Sequence, residues 1–380
     1  MRPAVATVAL GVLLLLAGGT FDAEPLYVPG VAFTLVGLFA EAWVGLGALG
    51  VIVEREVSAR TVVEDQPIAV RVRVRAGVTP LLTGAVDDPL LPAAIPLALG
   101  RREMALRIDA SFARRGRRVL APVRVVVCDP LGLATRTIVA GAPAEMLVLP
   151  RVHPVTSPTG GGEGRVLSVR SGRPRMAAEV ELDGVRPHRP GAPASRIHWS
   201  VFARTGELWE RRLVADADAR PLILLDPHTA GAEDPDAALD AAVRAVASLA
   251  VSLAKQGGCS ILLPGDRRAT PIEPDLSAWS RAHVRLALVT GDGAAPSLAG
   301  VAGRTGAVVY VAARPVGGTP PPLQGGGGAT RILVVPDPRS MSSGPAATMG
   351  AGPASAGRRA LFSVAGCTGY ALREARQEAA

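Results

Sequence analysis

After Arg2 the next charged residue is Asp22, and the apolar stretch VATVALGVLLLLAGG between them has the length and apolarity of a membrane-spanning helix. A polar break, FDAEP, precedes a second apolar run from Leu26 to Val53 that only Glu41 interrupts. Arg2 and the small residues Ala17 to Gly19 also fit a cleaved signal peptide, but the second run argues for an uncleaved helical hairpin over residues 1–53. Basic residues precede the first span (Arg2) and follow the second (Arg55, Arg60), while the intervening loop carries only Asp22 and Glu24. Both ends are therefore expected in the cytoplasm, with the protein at the cell membrane. Glu41, costly at membrane depth, is expected to face a partner helix, a wet cavity or the interface.

The pattern then switches to strict alternation. In IAVRVRVRA, Ile68, Val70, Val72 and Val74 fall on one face and Arg71, Arg73 and Arg75 on the other. That is a half-buried antiparallel strand whose arginine row reads as a solvated face. MALRIDASF, VLAPVRVVVCDPLGLATRTIVA and EMLVLP continue with short strands between Pro and Gly turns, predicting a small β-sandwich over 54–150. Residues 151–180, rich in Gly, Ser, Pro and Arg, read as a linker, and SPTGGGEGR lacks the lysine of a phosphate loop.

From 181 to 370 strand and helix alternate. RPLILLD is a buried-strand run. PDAALDAAVRAVASLAVSLAKQGG is a helix with an apolar stripe through Leu239, Val243, Val246, Leu249 and Leu253. CSILLPG (strand), PDLSAWSRAHV (helix), RLALVTG (strand or its approach), AVVYVAARP and TRILVVPD (strands) follow, and residues 371–380 form a tail. This rhythm predicts an α/β doubly wound sheet.

Composition narrows the functions. The net charge of +8 raises nucleic acid as a partner, but the arginines are scattered without interleaved aromatics, so no nucleic-acid platform is expected. Cys128, Cys259 and Cys367 are far apart and odd in number, which suits a reducing compartment and no disulfide framework. No G-x-S-x-G, HExxH or P-loop occurs, and each cysteine adjoins apolar sequence where thiols are inert, so no catalytic residue is assigned.

The densest chemistry lies in RPHRPGAPASRIHWSVFARTGELWERR, Arg186 to Arg212. PASRIHWSVFART fits a short helix with Ser195 as N-cap and Gly206 after its end. Ile197 and Val201 share one face, and Trp199 and Phe202 are placed to pin the helix against the sheet. ELWERRLV reads as a strand. The arginines either brace Glu181, Asp183, Glu207 and Glu210 or form a docking surface.

These words, in this order, resemble the DUF58 family of bacterial membrane-associated proteins over roughly residues 5–340. The correspondence runs through Arg186, Gly191, Arg196, Trp199, Arg204, Gly206 and Arg211, with a second match in RRGRRVLAPVRVVVCDPLGL. Ala192 and His198 stand where the family has acidic residues, and His188 where it has an aromatic. The resemblance implies a von Willebrand factor A-like domain and a non-enzymatic adaptor or scaffold. Its partner would be a MoxR-type AAA+ ATPase, in assembly or maturation of a client complex. Binding of anionic lipid headgroups by a basic membrane-surface protein, or an unrecognised hydrolase, are the alternatives. It also implies a Mg2+ site after the first strand of that domain. There Asp226 survives, while His228 and Ala230 replace the two serines, Thr229 is out of register, and Asp292 is a candidate later-loop acid.

Overall fold

A computed structural model describes residues 3–157, 182–188, 197–213, 220–293, 306–324, 330–337 and 360–372. It divides into two units, Met1–Ala113 with Arg117–Val148, and Arg114–Gly116 with Leu149–Ala380.

In the first unit, helices α1 (Pro3–Phe21) and α2 (Tyr27–Ala48) form the expected hairpin. Small residues make the contact possible: Ala4, Gly11 and Gly18 are buried on α1, and Gly30, Gly37 and Ala40 on α2. A side-chain carbon on Gly37 would lie 2.9 Å from the Ala4 carbonyl oxygen, so the backbones themselves touch. Leu13, Leu16, Val28 and Leu35 point away from the partner helix and are exposed. Glu41 is half-buried.

Ten strands follow: β1 (Ile52–Val57), β2 (Thr61–Val63), β3 (Ile68–Arg75), β4 (Gly84–Asp87), β5 (Ile95–Pro96), β6 (Glu103–Ala110), β7 (Gly116–Leu120), β8 (Val123–Cys128), β9 (Thr135–Ala140) and β10 (Ala144–Leu149). They make sheets of order β1-β3-β6, β2-β10-β7 and β5-β4-β8-β9. The alternation in β3 behaves as read, with Ile68, Val70, Val72 and Val74 buried in one core with Val86, Val125 and Val148. Its arginines meet acids: Arg73 lies 3.7 Å from Glu56, and Arg75 3.7 Å from Glu103. Arg55 and Asp88 form a buried pair at 3.3 Å, Arg55 also donating to the Ala121 and Leu120 carbonyls.

The DPLGL turn has a structural role. The buried Asp129 carboxylate accepts from the Leu131 and Ala134 amides, and the Leu133 carbonyl accepts from the Ala4 amide at 2.9 Å. Ala4, Ala40 and Val44 pack there with Ala134, fixing the start of the hairpin on the turn.

In the second unit, β11 (Leu182–Pro187) and β12 (Trp209–Leu213) pair antiparallel and flank α3 (Trp199–Thr205) in sequence. The main sheet contains β13 (Leu222–Asp226), β14 (Cys259–Leu262), β15 (Thr270–Ile272), β16 (Val308–Ala312), β17 (Arg331–Pro336), β18 (Ala360–Val364) and β19 (Cys367–Leu372). Their order is β15-β14-β13-β16-β17-β19-β18. β14, β13, β16 and β17 run parallel, and both edges are antiparallel.

Helix α4 (Pro235–Gly257) starts at Asp234, whose side chain accepts from the Ala237 amide, with Pro235 at the first helical position. The predicted stripe, Leu239 to Leu253, is buried against the sheet with α5 (Trp279–Ala287). α1, the segment Glu24–Ala48 and α4 are each long and apolar enough to cross a membrane. Burial separates them: the first two are 17% and 22% buried within the protein, α4 78%, so α4 is satisfied by the core.

The structure corrects several expectations. Among the described residues α4 and α5 cover the same face of the sheet, while Leu222, Leu224, Tyr310 and Leu333 on the other face pack on the short Pro321–Leu323 turn. Helices on both faces are thus not seen there. RLALVTG is the end of α5 and a loop, because its apolar residues Leu286 and Ala287 complete a helical stripe. The linker's first residues, 151–157, are anchored: Val155 is buried, Thr156 bridges to Ser363, and the His153 amide donates to Ser248 Oγ. Residues 158–181 lie outside the described residues.

Candidate functional site

The signature stretch folds locally as a strand, a helix and a strand. Arg186 on β11 stands opposite Glu210 in register, and Arg211 on β12 opposite Val185. Chain crossings are tied by the His188 amide to the Leu208 carbonyl at 2.9 Å and the His198 amide to the Trp209 carbonyl at 2.7 Å. Gly206 terminates α3 at φ 71°, the left-handed conformation that glycine adopts without strain. Gly191, Arg196 and the expected N-cap Ser195 lie outside the described residues. The residue at the N-cap is His198, which makes no side-chain bond to the helix amides and instead meets Ser200 Oγ through Nδ1 at 2.8 Å.

Trp199 and Phe202 do not pin the helix inward. Trp199 is 56% and Phe202 38% exposed, and their rings pack on each other edge to face at 6.1 Å. The reason is angular: at about 100° per residue, Trp199 lies roughly 200° from half-buried Val201, so a helix that turns Val201 inward turns Trp199 out. Exposed Arg204 follows in the last turn. Placing an acid at the N-cap gives a modest expected gain: His198→Asp should stabilise α3 by about 1 kcal/mol, seen as a raised chemical-denaturation midpoint without a change in slope.

The second cluster forms at the carboxyl ends of β13 and β16, adjacent parallel strands where the sheet order reverses between β14 and β16. Such a reversal is where open α/β sheets bind ligands. Asp226, buried, ends β13. Its Oδ1 accepts from the His228 amide at 3.2 Å and from His228 Nδ1 at 2.6 Å, and its Oδ2 accepts from the Tyr310 hydroxyl at 2.6 Å. Arg314 Nη2 lies 3.7 Å from the same Oδ2. Burial raises the affinity of the Asp226 carboxyl for its proton, but the bonds from Tyr310 and His228 outweigh it and hold the group below the usual carboxylate range. Burial, with the Asp226 charge, pushes the Tyr310 phenol up, keeping it a neutral donor.

The loop after α5 reaches this rim, since a side chain on Gly291 would touch Thr229 and the Pro227 carbonyl. Asp292 there is exposed and held ionised chiefly by a hydrogen bond with Thr290. The donor set does not fit a divalent cation. Both Asp226 oxygens already accept protein donors, a guanidinium lies beside them, and Ala230 offers no side-chain oxygen. Among the described residues no group of three or more His, Cys, Asp or Glu is placed to hold a metal.

In the first cluster the Ser200 hydroxyl lies 2.8 Å from His198 Nδ1 at the exposed start of α3. Burial pushes the Cys259 and Cys367 thiols up to about 12, away from the reactive thiolate. A larger cleft of about 650 Å³ is lined by His153, Arg244, Asp337, Ser363 and Thr368, but His153, Arg244 and Asp337 are engaged in interactions of their own. Sequence reading found Asp226 and the signature arginines. It missed Tyr310 and Arg314, whose only signal was their place at the end of the strand AVVYVAARP. No family model matches this chain, and no curated protein matches it.

Proposed function

We propose that this chain is a membrane-anchored, non-enzymatic adaptor of the DUF58 type. Its α1–α2 hairpin holds it in the membrane with both termini cytoplasmic. Its second unit, von Willebrand A-like in plan, docks a MoxR-type AAA+ ATPase during assembly or maturation of a client complex. The observation that carries the docking role is the outward Trp199–Phe202 pair on α3, a helix that also exposes Arg204 in its last turn. Exposed aromatics and an exposed arginine on one short helix have the composition of a binding hot spot. The anchor is supported by two long apolar helices whose Leu, Val and Phe side chains are exposed. The von Willebrand A-like plan is supported by a parallel sheet with an aspartate at the carboxyl end of β13.

The test is a pull-down of the detergent-solubilised protein with and without ATP, with captured chains identified. The expected result is a P-loop ATPase recovered by the wild type and lost with Arg204→Glu. Recovery of no ATPase, or equal recovery by Arg204→Glu, contradicts the reading. Exposed Trp and Arg also suit a membrane interface. On that second reading the protein's second unit floats with anionic liposomes and is released by salt.

A further inference from the structure

The hairpin and the strands of the first unit meet without a spacer, since α2 ends at Ala48 and β1 begins at Ile52. Loops of that unit are tied to the helix ends themselves. The Val78 amide donates to the Leu49 carbonyl at 3.2 Å and the Ala4 amide to the Leu133 carbonyl at 2.9 Å, while Leu82 stands against Gly47. Ala134 packs with Ala40 and Val44, so the turn at residues 129–134 lies beside α2 about one to two turns before its end. At 1.5 Å per residue α1 is about 28 Å long, close to the thickness of a hydrocarbon core. A hairpin that spans the bilayer therefore carries these loops into the headgroup layer.

What the loops expose there is apolar and basic. Val78, Leu99 and Leu131 are 63–66% exposed. The loops of Val78 and Leu99 are joined by the Ala76 amide to the Arg102 carbonyl and the Gly100 amide to the Leu81 carbonyl, each at 2.8 Å. Arg101 and Arg102 are exposed on the same loops, Arg102 Nη1 donating to the Gly77 carbonyl at 3.2 Å. Arg75 is offset by Glu103 at 3.7 Å, whereas neither Arg101 nor Arg102 pairs with an acid among the described residues. Single surface hydrophobics need no explanation. Three on loops fastened to the points where the chain leaves the bilayer have an apolar phase within reach.

We propose that this rim of the first unit is a lipid-binding surface. Val78, Leu99 and Leu131 immerse at the boundary between headgroups and acyl chains, and Arg101 and Arg102 meet the phosphates of anionic lipids. The inference rests on the anchoring reading above and is independent of the ATPase.

The experiment uses the full-length protein carrying Cys128→Ser, so that only the two buried native thiols remain, in vesicles of phosphatidylcholine and phosphatidylglycerol. Nitroxide labels on Val78→Cys, Leu131→Cys, Leu16→Cys and Gln66→Cys are placed in depth by their collisions with oxygen and with a water-soluble nickel chelate. Leu16 is exposed on α1, and Gln66 is exposed just before β3, at the end of that strand remote from Arg75. The expected result is Leu16 in hydrocarbon, Gln66 in water, and Val78 and Leu131 about 5–10 Å inside the boundary. In detergent, native mass spectrometry should show phosphatidylglycerol held more tightly than phosphatidylcholine. Arg101→Glu should weaken phosphatidylglycerol binding at least about fivefold; Arg102 is left in place because it also braces Gly77. Equal melting temperatures show that the variants fold, and Leu99→Cys replaces a rim label that does not. Leu16 in water overturns the anchor and this proposal with it. Leu16 in hydrocarbon with Val78 or Leu131 in water overturns the proposal alone, as does equal retention of the two lipids or wild-type phosphatidylglycerol binding by Arg101→Glu.

Discussion

Replacing Asp240 with alanine should lower stability by about 3–5 kcal/mol, the cost of leaving a buried charge without its partner. Asp240 lies on α4 among residues that are almost all apolar and buried, and its own side chain is 6% exposed. Arg114 Nε reaches its Oδ2 at 2.9 Å, and Arg115 Nε its Oδ1 at 3.3 Å. Arg115, 4% exposed, also donates to the Val289 carbonyl at 3.2–3.3 Å. Asp236, one turn earlier, also pairs with Arg114 at 3.0 Å but is 71% exposed. Solvent screening makes that pair worth about 0–1 kcal/mol. Thermal melts of the two alanine variants side by side should therefore separate clearly, Asp240→Ala melting about 4–20 °C below Asp236→Ala. Equal melting temperatures would remove the buried network from the account.

A second large effect is expected in the hairpin. A side-chain carbon on Gly11 would sit 2.6 Å from the Thr34 amide nitrogen and 2.7 Å from the Gly30 carbonyl oxygen. Those are backbone atoms and cannot turn aside, so Gly11→Leu should cost more than the roughly 1–3 kcal/mol of ordinary overpacking and force α1 from α2. Gly45, with nothing within 4 Å of the same position, is the control. Gly45→Leu should be neutral or slightly stabilising, since leucine forms helix better than glycine by about 1 kcal/mol. Melting in detergent checks both. A Gly11→Leu protein as stable as the Gly45→Leu protein would mean that the helices are not in backbone contact.

The contrast between these sites shows what the sequence could and could not convey. Wherever one periodicity ran long enough, the element was readable: the uncharged stretch of α1, the alternation of β3, the stripe of α4. Asp240 was not readable as a network residue, because its partners lie more than 120 positions upstream and nothing in PDAALDAAV distinguishes a paired acid from a solvated one. Trp199 and Phe202 were misplaced for a related reason. Spacing shows that they share a face of α3, but only the packing of Val201 decides that the face is the outer one. The β18–β19 hairpin carried a local signal that was passed over. Ala365 and Gly366 both have positive φ, as a two-residue hairpin turn demands, and the Ala-Gly pair between alternating residues was its trace. The site at Asp226 was half legible. The aspartate at the end of a buried strand stood out, whereas Tyr310 and Arg314 join it only through parallel pairing of β13 with β16 across 84 residues of sequence.

The proposed docking role rests on the outward face of α3, and a photoreactive amino acid in place of Trp199 tests it most directly. With the full-length protein in its native membrane, brief irradiation and identification of the adducts, the account predicts a covalent product with an AAA+ ATPase that disappears when Arg204→Glu is added. Adducts with lipid alone, or an ATPase adduct that Arg204→Glu leaves untouched, would contradict it.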